Sequence, residues 1–222
     1  MRGKLIAIDG VDSSGKGLQT RLLFEELQQQ YPAVRKLRFP VYESDSSALV
    51  KMYLEGQLGG IHDVNGYAAS LFFAADRYAS YKSDWGKELE DGCVMVCDRY
   101  VSSNAIHQSV KVSPDERDAF LNWVMDMEYN KLGLPKPDLT LFLDVPVDVA
   151  LSLMDKRYDG DESKKDIHES DREYLLACHD AAVYAAEYFG WVRINCVEDG
   201  KLLPPEVIHQ KVMAYVDDAM KE

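Results

Sequence analysis

The sequence lacks several features that mark whole classes of protein. Its four cysteines form no CxxC pair and no pattern with histidine that is typical of a zinc site. No apolar run approaches the roughly 18 residues that a membrane-spanning helix needs. The short apolar stretch after Lys4 is not followed by the small residues of a signal-peptide cleavage site. These absences favour a cytoplasmic protein whose cysteines are small core residues.

Positive charge is also scarce. The chain carries 25 Lys and Arg against 38 Asp and Glu, which gives a formal net charge of −13. Such a charge opposes long-range attraction to nucleic acids and anionic membranes, although a few arginines or lysines in a cleft can still bind a nucleotide. We therefore predict neither a nucleic-acid partner nor a membrane partner.

Repeats and low-complexity linkers are missing as well, so the 222 residues are predicted to form a single domain, 1–222. Apolar runs predict strands at 5–8, 34–39, 94–97, 139–143 and 191–196. Helical periodicity predicts helices at about 16–30, 46–55, 65–81, 114–131, 169–189 and 205–220, and a further helix that begins at 146. This alternation predicts an α/β fold with a five-stranded parallel sheet, helices on both faces, and ligands beyond the carboxyl ends of the strands.

A glycine-rich turn follows the first strand. It matches the pattern Gly-x4-Gly-Lys between a strand and a helix, in which backbone N–H groups and the helix N-terminus surround phosphate oxygens and the lysine adds a charge. The residue after the lysine is Gly17, where the pattern has a Ser or Thr that ligates Mg²⁺. The predicted ATP- and phosphate-binding residues are Gly10, Val11, Asp12, Ser13, Ser14, Gly15, Lys16 and Gly17.

Three further segments indicate a resemblance to a known family. They are 38–40 (Arg-Phe-Pro), 71–77 (Leu-Phe-Phe-Ala-Ala-Asp-Arg) and 98–104 (Asp-Arg-Tyr-Val-Ser-Ser-Asn). Together with the acidic Asp12 in the turn, they resemble the thymidylate kinases over nearly the whole chain. The resemblance implies a P-loop nucleoside monophosphate kinase fold with a mobile lid at about 156–169. It also implies ATP and dTMP as substrates, Mg²⁺ as cofactor, and a homodimer formed through the helix around 68–75.

The resemblance also implies how dTMP is held. Phe73 and Arg77, four residues apart on one helix face, would stack on thymine and donate to its O4. Asn104 would read the Watson–Crick edge, and Asp12 would accept from the 3′-OH. Simpler roles stay open, namely core packing for Phe73, a surface charge for Arg77 and a structural His107. The predicted dTMP-binding residues are Asp12, Phe39, Pro40, Tyr42, Phe73, Arg77, Arg99, Ser103, Asn104 and His107.

Phosphoryl transfer needs cations near the oxygens of the moving group. Some thymidylate kinases place an Arg where this chain has Ser13, so here the lid is expected to supply it. Arg157 is the first candidate, with Lys164 and Lys165 behind it. The predicted catalytic residues are Lys16, Arg99 and Arg157, and the predicted metal-binding residues, directly or through water, are Asp98 and Glu169.

Two other interpretations stay open. The first is a kinase for another deoxynucleoside monophosphate, which Arg77 and Asn104 should discriminate, because dCMP carries an amino group in place of O4. The second is a nucleotide-binding protein with weakened catalysis, for which Gly17 is the main motive.

Overall fold

A computed structural model describes residues 2–159, 161 and 166–221 of the chain. The strands are β1 (Leu5–Asp9), β2 (Val34–Arg38), β3 (Val94–Asp98), β4 (Leu139–Asp144), β5 (Val192–Asn195), β6 (Val197–Glu198) and β7 (Lys201–Leu202). The α-helices are α1 (Lys16–Gln30), α2 (Ala48–Leu54), α3 (Gly66–Ser80), α4 (Gly86–Glu90), α5 (Val101–His107), α6 (Arg117–Met125), α7 (Val147–Tyr158), α8 (Arg172–Phe189) and α9 (Pro205–Ala219). Short 3₁₀ or π turns extend several of them, at Asp45–Ser47, Tyr81–Trp85, Ser109–Lys111, Pro114–Glu116 and Asp126–Lys131.

The five-stranded sheet is parallel throughout and has the strand order β2-β3-β1-β4-β5. The predicted α/β fold class is therefore confirmed. β6 and β7 form a separate antiparallel pair, which the sequence did not predict because each strand has only two residues.

Alternate residues of β1 point to opposite faces of the sheet, as strand geometry requires. Ile6 and Ile8 belong to a core that includes Leu23 and Leu27 of α1 and Val212 of α9. On the other face, side chains of β1 and β3 pack against Trp85, α4 and α6. Helices therefore cover both faces, as is usual for parallel sheets.

Three loops leave the same edge of the sheet, because β1, β2 and β3 are parallel and in register. Ile8 and Arg38 both lie opposite Asp98 near the carboxyl ends of their strands. The glycine-rich turn, the Phe39–Pro40 segment and Arg99 follow these strands directly. This edge of the sheet therefore brings together the motifs singled out in the sequence.

Three helices differ from the expectation, and one of them, α4, was not predicted at all. α8 begins at Arg172, whereas the sequence predicted a start at Glu169, because the Asp171 carboxylate caps the helix by accepting from the Tyr174 N–H at 2.9 Å. α5 was not predicted either, since its seven residues are buried nearly all round and show no apolar stripe. In the part of the chain that the structure describes, no helix has the length and apolar character needed to cross a bilayer.

Candidate active site

The glycine-rich turn between β1 and α1 has a conformation that depends on its glycines. Gly10 has no room for a side chain, because a Cβ there would lie 2.9 Å from the Leu143 carbonyl oxygen. Gly15, directly before α1, has a left-handed φ of 85°, which glycine adopts without steric strain. The turn therefore leads tightly into the N-terminus of α1, where N–H groups and the helix dipole favour an anion.

A cleft opens beside this turn. Five of the eight predicted phosphate-binding residues line it, namely Asp12, Ser13, Gly15, Lys16 and Gly17. The other three, Gly10, Val11 and Ser14, are buried. The cleft is completed by Arg38 and Asp98 at the strand ends and by Arg157 and Glu169.

Lys16 is buried in the first turn of α1. Its ammonium group donates to the Val11 carbonyl oxygen at 2.6 Å and to Ser14 Oγ at 3.4 Å. Burial, followed by repulsion from Arg99, lowers the pKa of Lys16 to about 8. A lysine with this pKa is charged at neutral pH and loses its proton in mildly alkaline solution.

This pKa predicts that ATP binding depends on pH. Phosphate oxygens favour the charged form of Lys16, so ATP should raise its pKa and take up protons when it binds near pH 8. The affinity for ATP should therefore fall above pH 8, by up to about tenfold per pH unit. Calorimetric titration at pH 7–9.5, in two buffers with different ionisation enthalpies, measures both effects. An affinity that is constant over this range would contradict the prediction.

Arg99 lies at the junction of this cleft and a neighbouring pocket, and it lines both. It has a φ of 68°, which typically costs a non-glycine residue about 1–3 kcal/mol. Its guanidinium forms an ion pair with Asp12 and donates to Ser103 Oγ at 3.3 Å. It also lies 3.0 Å from His107 Nε2, which must accept, because a guanidinium only donates. His107 therefore carries its proton on Nδ1.

The Asp12–Arg99 pair is held in its charged form. Burial opposes both charges, but the attractions of several neighbours together outweigh it: Arg99 and Lys16 lower the pKa of Asp12, and Asp12 with other nearby carboxylates raises the pKa of Arg99. Burial, followed by repulsion from Arg99, lowers the pKa of His107, which keeps the imidazole neutral. The junction thus holds the Asp12 carboxylate, the Arg99 guanidinium and a neutral His107 imidazole, and the buried Asp9 carboxylate lies 3.5 Å from Arg99 Nη1.

The neighbouring pocket is open to solvent on one side. All ten of the residues predicted to bind dTMP line it: Asp12, Phe39, Pro40, Tyr42, Phe73, Arg77, Arg99, Ser103, Asn104 and His107. Four further residues complete the lining: Leu54, Gln108, Asp166 and His168. Tertiary structure therefore brings together in one pocket residues from α3 and from the segments that follow β1, β2 and β3.

The aromatic rings of the pocket are fixed by their neighbours. Phe39 is 2 % exposed and lies edge-on to Trp85, with ring centroids 6.4 Å apart. Phe73 is half-buried, and Tyr53 meets it at 90° with a centroid separation of 6.2 Å. Phe72 contacts the same Tyr53 ring and is not among the residues that line the pocket. A flat ring such as Phe73 suits the face of a nucleobase.

The polar end of the pocket is built on a buried carboxylate. Arg77 is 2 % exposed, so it is not a surface charge, and its Nε and Nη2 donate to the two oxygens of Glu128 at 2.6 Å each. Asn104 Nδ2 donates to Glu128 Oε1 at 2.7 Å and to the Ser70 carbonyl oxygen at 3.0 Å. Burial opposes the charge of Arg77, but Glu128 outweighs it and raises the pKa of Arg77.

Arg157 lies in the last turn of α7 and lines the phosphate cleft. Its guanidinium pairs with Glu169 and donates to the Tyr158 hydroxyl at 2.8 Å, and that hydroxyl donates to Glu169 at 2.7 Å. Arg157 therefore borders the cleft, and its role as the catalytic cation stays a prediction. Lys164 and Lys165, the other candidates, lie outside the described residues.

Asp166 and His168 are pocket residues that the sequence did not single out. The Asp166 carboxylate accepts from the backbone N–H groups of His168 and Glu169, at 2.8 and 2.9 Å. Burial, followed by repulsion from Asp12, raises the pKa of Asp166 to about 7. The His168 ring lies nearly parallel to that of His107, with centroids 5.8 Å apart. No pattern in the sequence distinguishes these two residues, since the whole segment has the composition of a charged loop.

Glu128 was also missed, although the sequence did contain a signal for it. It follows Leu121 and Val124 at helical spacing, and all three are buried. A glutamate on an apolar helix face is rare unless it is paired. Its position alone therefore indicates a buried cationic or hydrogen-bonding partner.

Asp98 and Gly17 face each other across the phosphate cleft. A Cβ at residue 17 would lie 3.3 Å from Asp98 Oδ2, so a hydroxyl there would adjoin that carboxylate. Asp98 can thus serve as a hard oxygen ligand next to the phosphate turn. Both oxygens of Glu169, in contrast, accept from Arg157 or Tyr158.

A serine at position 17 should strengthen Mg²⁺ binding. Gly17→Ser adds a hydroxyl ligand beside Asp98, and a small shift of that carboxylate makes room for it. The Mg²⁺ concentration for half-maximal turnover should fall several-fold, and helix propensity should raise stability by about 0.5 kcal/mol. Gly17→Ala is the matched control, since it adds the Cβ without the oxygen. An equal Mg²⁺ requirement in both variants would contradict the prediction.

Comparison with known proteins gives concordant results. A family model described as thymidylate kinase matches residues 8–187. The thymidylate kinase of Mycobacterium tuberculosis H37Rv is 32 % identical over 219 residues, which cover 91 % of this chain and 99 % of that protein. The human thymidylate kinase is 34 % identical over 142 residues, which cover 64 % and 61 % of the two chains.

The fold is similar as well. The solved structure of the thymidylate kinase from Candida albicans superposes with a TM-score of 0.72 at 20 % identity, and the match covers 98 % of this chain and 92 % of that one. At this identity the likeness concerns the fold alone, but the family model spans most of the chain. The chain therefore belongs to the thymidylate kinase family.

Proposed function

We propose that this chain transfers the γ-phosphoryl group of ATP to dTMP in an Mg²⁺-dependent reaction. One observation carries the assignment of the two substrates to their sites. The phosphate cleft and the neighbouring pocket share a wall, formed by Asp12, Phe39, Pro40, Tyr42, Arg99 and Asp166. A triphosphate on the glycine-rich turn and a monophosphate in the pocket would therefore meet end to end at Arg99.

The polar end of the pocket suits thymine. Both hydrogens of the Asn104 amide are engaged by Glu128 and Ser70, so its Oδ1 is an acceptor for the N3–H of thymine. Arg77 Nη1 has no partner among the described residues and is a donor for O4. Phe73 supplies the stacking surface, and His107 borders the sugar.

The reaction needs positioning and charge neutralisation, because the attacking phosphate oxygen is already anionic at neutral pH. Lys16 would hold the β- and γ-phosphates, and Arg99 would bridge the acceptor phosphate and the transferred group. Arg157, from the segment that resembles the family lid, would add the remaining positive charge. Some family members supply this charge from an Arg at the position that Ser13 occupies here. Arg38, which lines the same cleft, is a further cation that the sequence interpretation did not include.

The chain's residues fit Mg²⁺. This ion commonly binds through one or two carboxylates and the phosphates of its nucleotide. Asp98 offers such a carboxylate beside the phosphate turn, and we assign it as the principal protein contact, directly or through water. Glu169 would reach the metal only by leaving Arg157 or Tyr158. The ion would supply neutralisation of phosphate charge.

Two wider predictions concern assembly and location. Leu71 is 50 % exposed and Tyr67 41 % exposed on α3, so this helix offers apolar surface for the proposed homodimer. Sedimentation with Leu71→Asp tests it, since a charge at the interface should yield monomers. All four cysteines are free and buried, which supports the predicted reducing, cytoplasmic location.

A panel of nucleotides tests the proposed function. A coupled ADP-release assay should give turnover with dTMP, at least tenfold less with dUMP, which lacks the methyl group, and little with dCMP, dAMP or dGMP. dGMP is an informative control, because its edge repeats the donor–acceptor order of thymine on a larger ring system. Equal turnover across the panel, or none with dTMP, would refute the assignment.

A further inference from the structure

Glu128 is buried completely, yet neither the glycine-rich turn nor the catalytic cations touch it. Its partners are Arg77 and Asn104, the two polar side chains at the base end of the pocket. We infer that Glu128 is a positioning residue that sets base specificity by fixing the orientation of the Asn104 amide. This inference rests on the proposed function, because it concerns the base that the pocket accepts.

The orientation of Asn104 follows from its two neighbours. Glu128 Oε1 lies 2.7 Å away on one side and the Ser70 carbonyl oxygen 3.0 Å away on the other. Both neighbours are acceptors, since the two oxygens of Glu128 already accept from Arg77 in a bidentate pair. Only the NH₂ group of Asn104 can satisfy both, whereas a flipped amide would set oxygen against oxygen twice. Asn104 therefore presents its carbonyl oxygen to the ligand.

The same carboxylate also arranges Arg77. Because Glu128 takes Nε and Nη2, the side chain is held with Nη1 as the free donor among the described residues. The Glu128 carboxylate thus leaves Oδ1 of Asn104 as an acceptor and Nη1 of Arg77 as a donor for the ligand. Thymine and uracil match this order with N3–H and O4, while cytosine opposes it at both atoms, since its N3 accepts and its N4 amino group donates.

Glu128→Gln would remove this constraint without changing the size of the side chain. If the NH₂ group of the new amide takes the place of Oε1, it faces Asn104 Nδ2 and favours the flipped orientation of that amide. If it takes the place of Oε2 instead, it opposes Arg77 Nε and displaces the guanidinium that offers Nη1 to the base. The first arrangement removes the acceptor for dTMP and offers dCMP a donor, and the second misplaces the donor to O4, so both weaken the preference for dTMP.

The test is the ratio of kcat/KM for dTMP to that for dCMP in Glu128→Gln and in the wild type. We expect the ratio to fall at least tenfold, mainly through KM for dTMP, with the affinity for ATP unchanged. Asp144→Asn is the matched control, because Asp144 pairs with Arg193 outside both clefts. It should lower stability and leave the ratio unchanged. A merely structural role for Glu128 would lower both activities equally and keep the ratio, which would overturn the inference.

If Glu128→Gln fails to fold, a measurement on the unmodified protein still tests the inference. In ¹⁵N-labelled protein, the Asn104 side-chain N–H signals, assigned through Asn104→Asp, should exchange slowly with solvent and shift little when dTMP binds. Fast exchange, or a large shift of the nitrogen with dTMP, would show that the amide group faces the ligand and would overturn the inference. An absence of dTMP turnover in the wild type would instead refute the proposed function.

Discussion

Lys16→Ala should reduce the turnover of dTMP by at least about 10²–10³-fold, the loss typical when one preorganised donor to a reacting oxyanion is removed. The ammonium group is fixed in the first turn of α1 beside the glycine-rich turn, so no other side chain can replace its charge there without moving. The measurement is kcat in the coupled assay at saturating ATP and dTMP.

The fold should survive this change. Burial already disfavours the charge of Lys16, as its lowered pKa indicates, so alanine should alter the free energy of unfolding by no more than about 1 kcal/mol, the usual worth of one hydrogen bond. Lys4→Ala is the control, since Lys4 lies at the opposite edge of the sheet and pairs loosely with Asp138 at 3.8 Å. Near-normal turnover in Lys16→Ala would remove the lysine from the proposed mechanism.

Loss of Arg77 should weaken the binding of dTMP far more than the binding of ATP. Its donor to the base is charged, and such hydrogen bonds contribute about 1.5–3 kcal/mol, or roughly 10–150-fold in kcat/KM for dTMP. Arg77→Ala alone would strand the buried Glu128 carboxylate, which typically costs about 3–5 kcal/mol of stability. Arg77→Met/Glu128→Gln removes both charges and is the better variant, compared with Glu128→Gln alone so that the loss due to Arg77 is separated from the loss due to the carboxylate.

Arg193→Met/Asp144→Asn is the matched control for this pair. It removes a second Arg–carboxylate pair, whose closest contact is 2.6 Å, away from both clefts. Kinetics with dTMP and calorimetry with ATP separate the two substrates. Equal weakening of dTMP and ATP in the Arg77 double variant would place Arg77 outside the base site.

Much of the fold and of the site was predictable, because the candidate site residues come directly after strands in the sequence. Lys16, Arg99 and Phe39 each lie within two residues after a strand or at the start of the next helix, and parallel strands bring such positions to one edge. α1 was predicted with the bounds that the structure gives it, because its leucines show helical spacing and a glycine precedes it. Buried helices such as α5, and strands of two residues, carry no pattern of this kind.

The partners of the site residues were harder to predict. Arg77 was weighed as a surface charge, although it is almost fully buried against Glu128, 51 residues further along the chain. Asp166 and His168 lie in the polar segment that the resemblance assigned to a lid, without a role for either residue, and only folding places them beside Asp12 and His107. Such pairings depend on how helices cross, which periodicity does not encode.

The sequence by itself determined the parallel sheet, the glycine-rich turn and the residue types that a nucleotide kinase needs, because these depend on local spacing and on backbone conformations that few residues permit. Tertiary structure decided the polarity of the pocket: which atom of Asn104 faces the ligand, which nitrogen of Arg77 is free, and which nitrogen of His107 carries the proton. The physical reason is that a side chain with several donors and acceptors is oriented by its buried neighbours, and those neighbours come from distant segments of the chain.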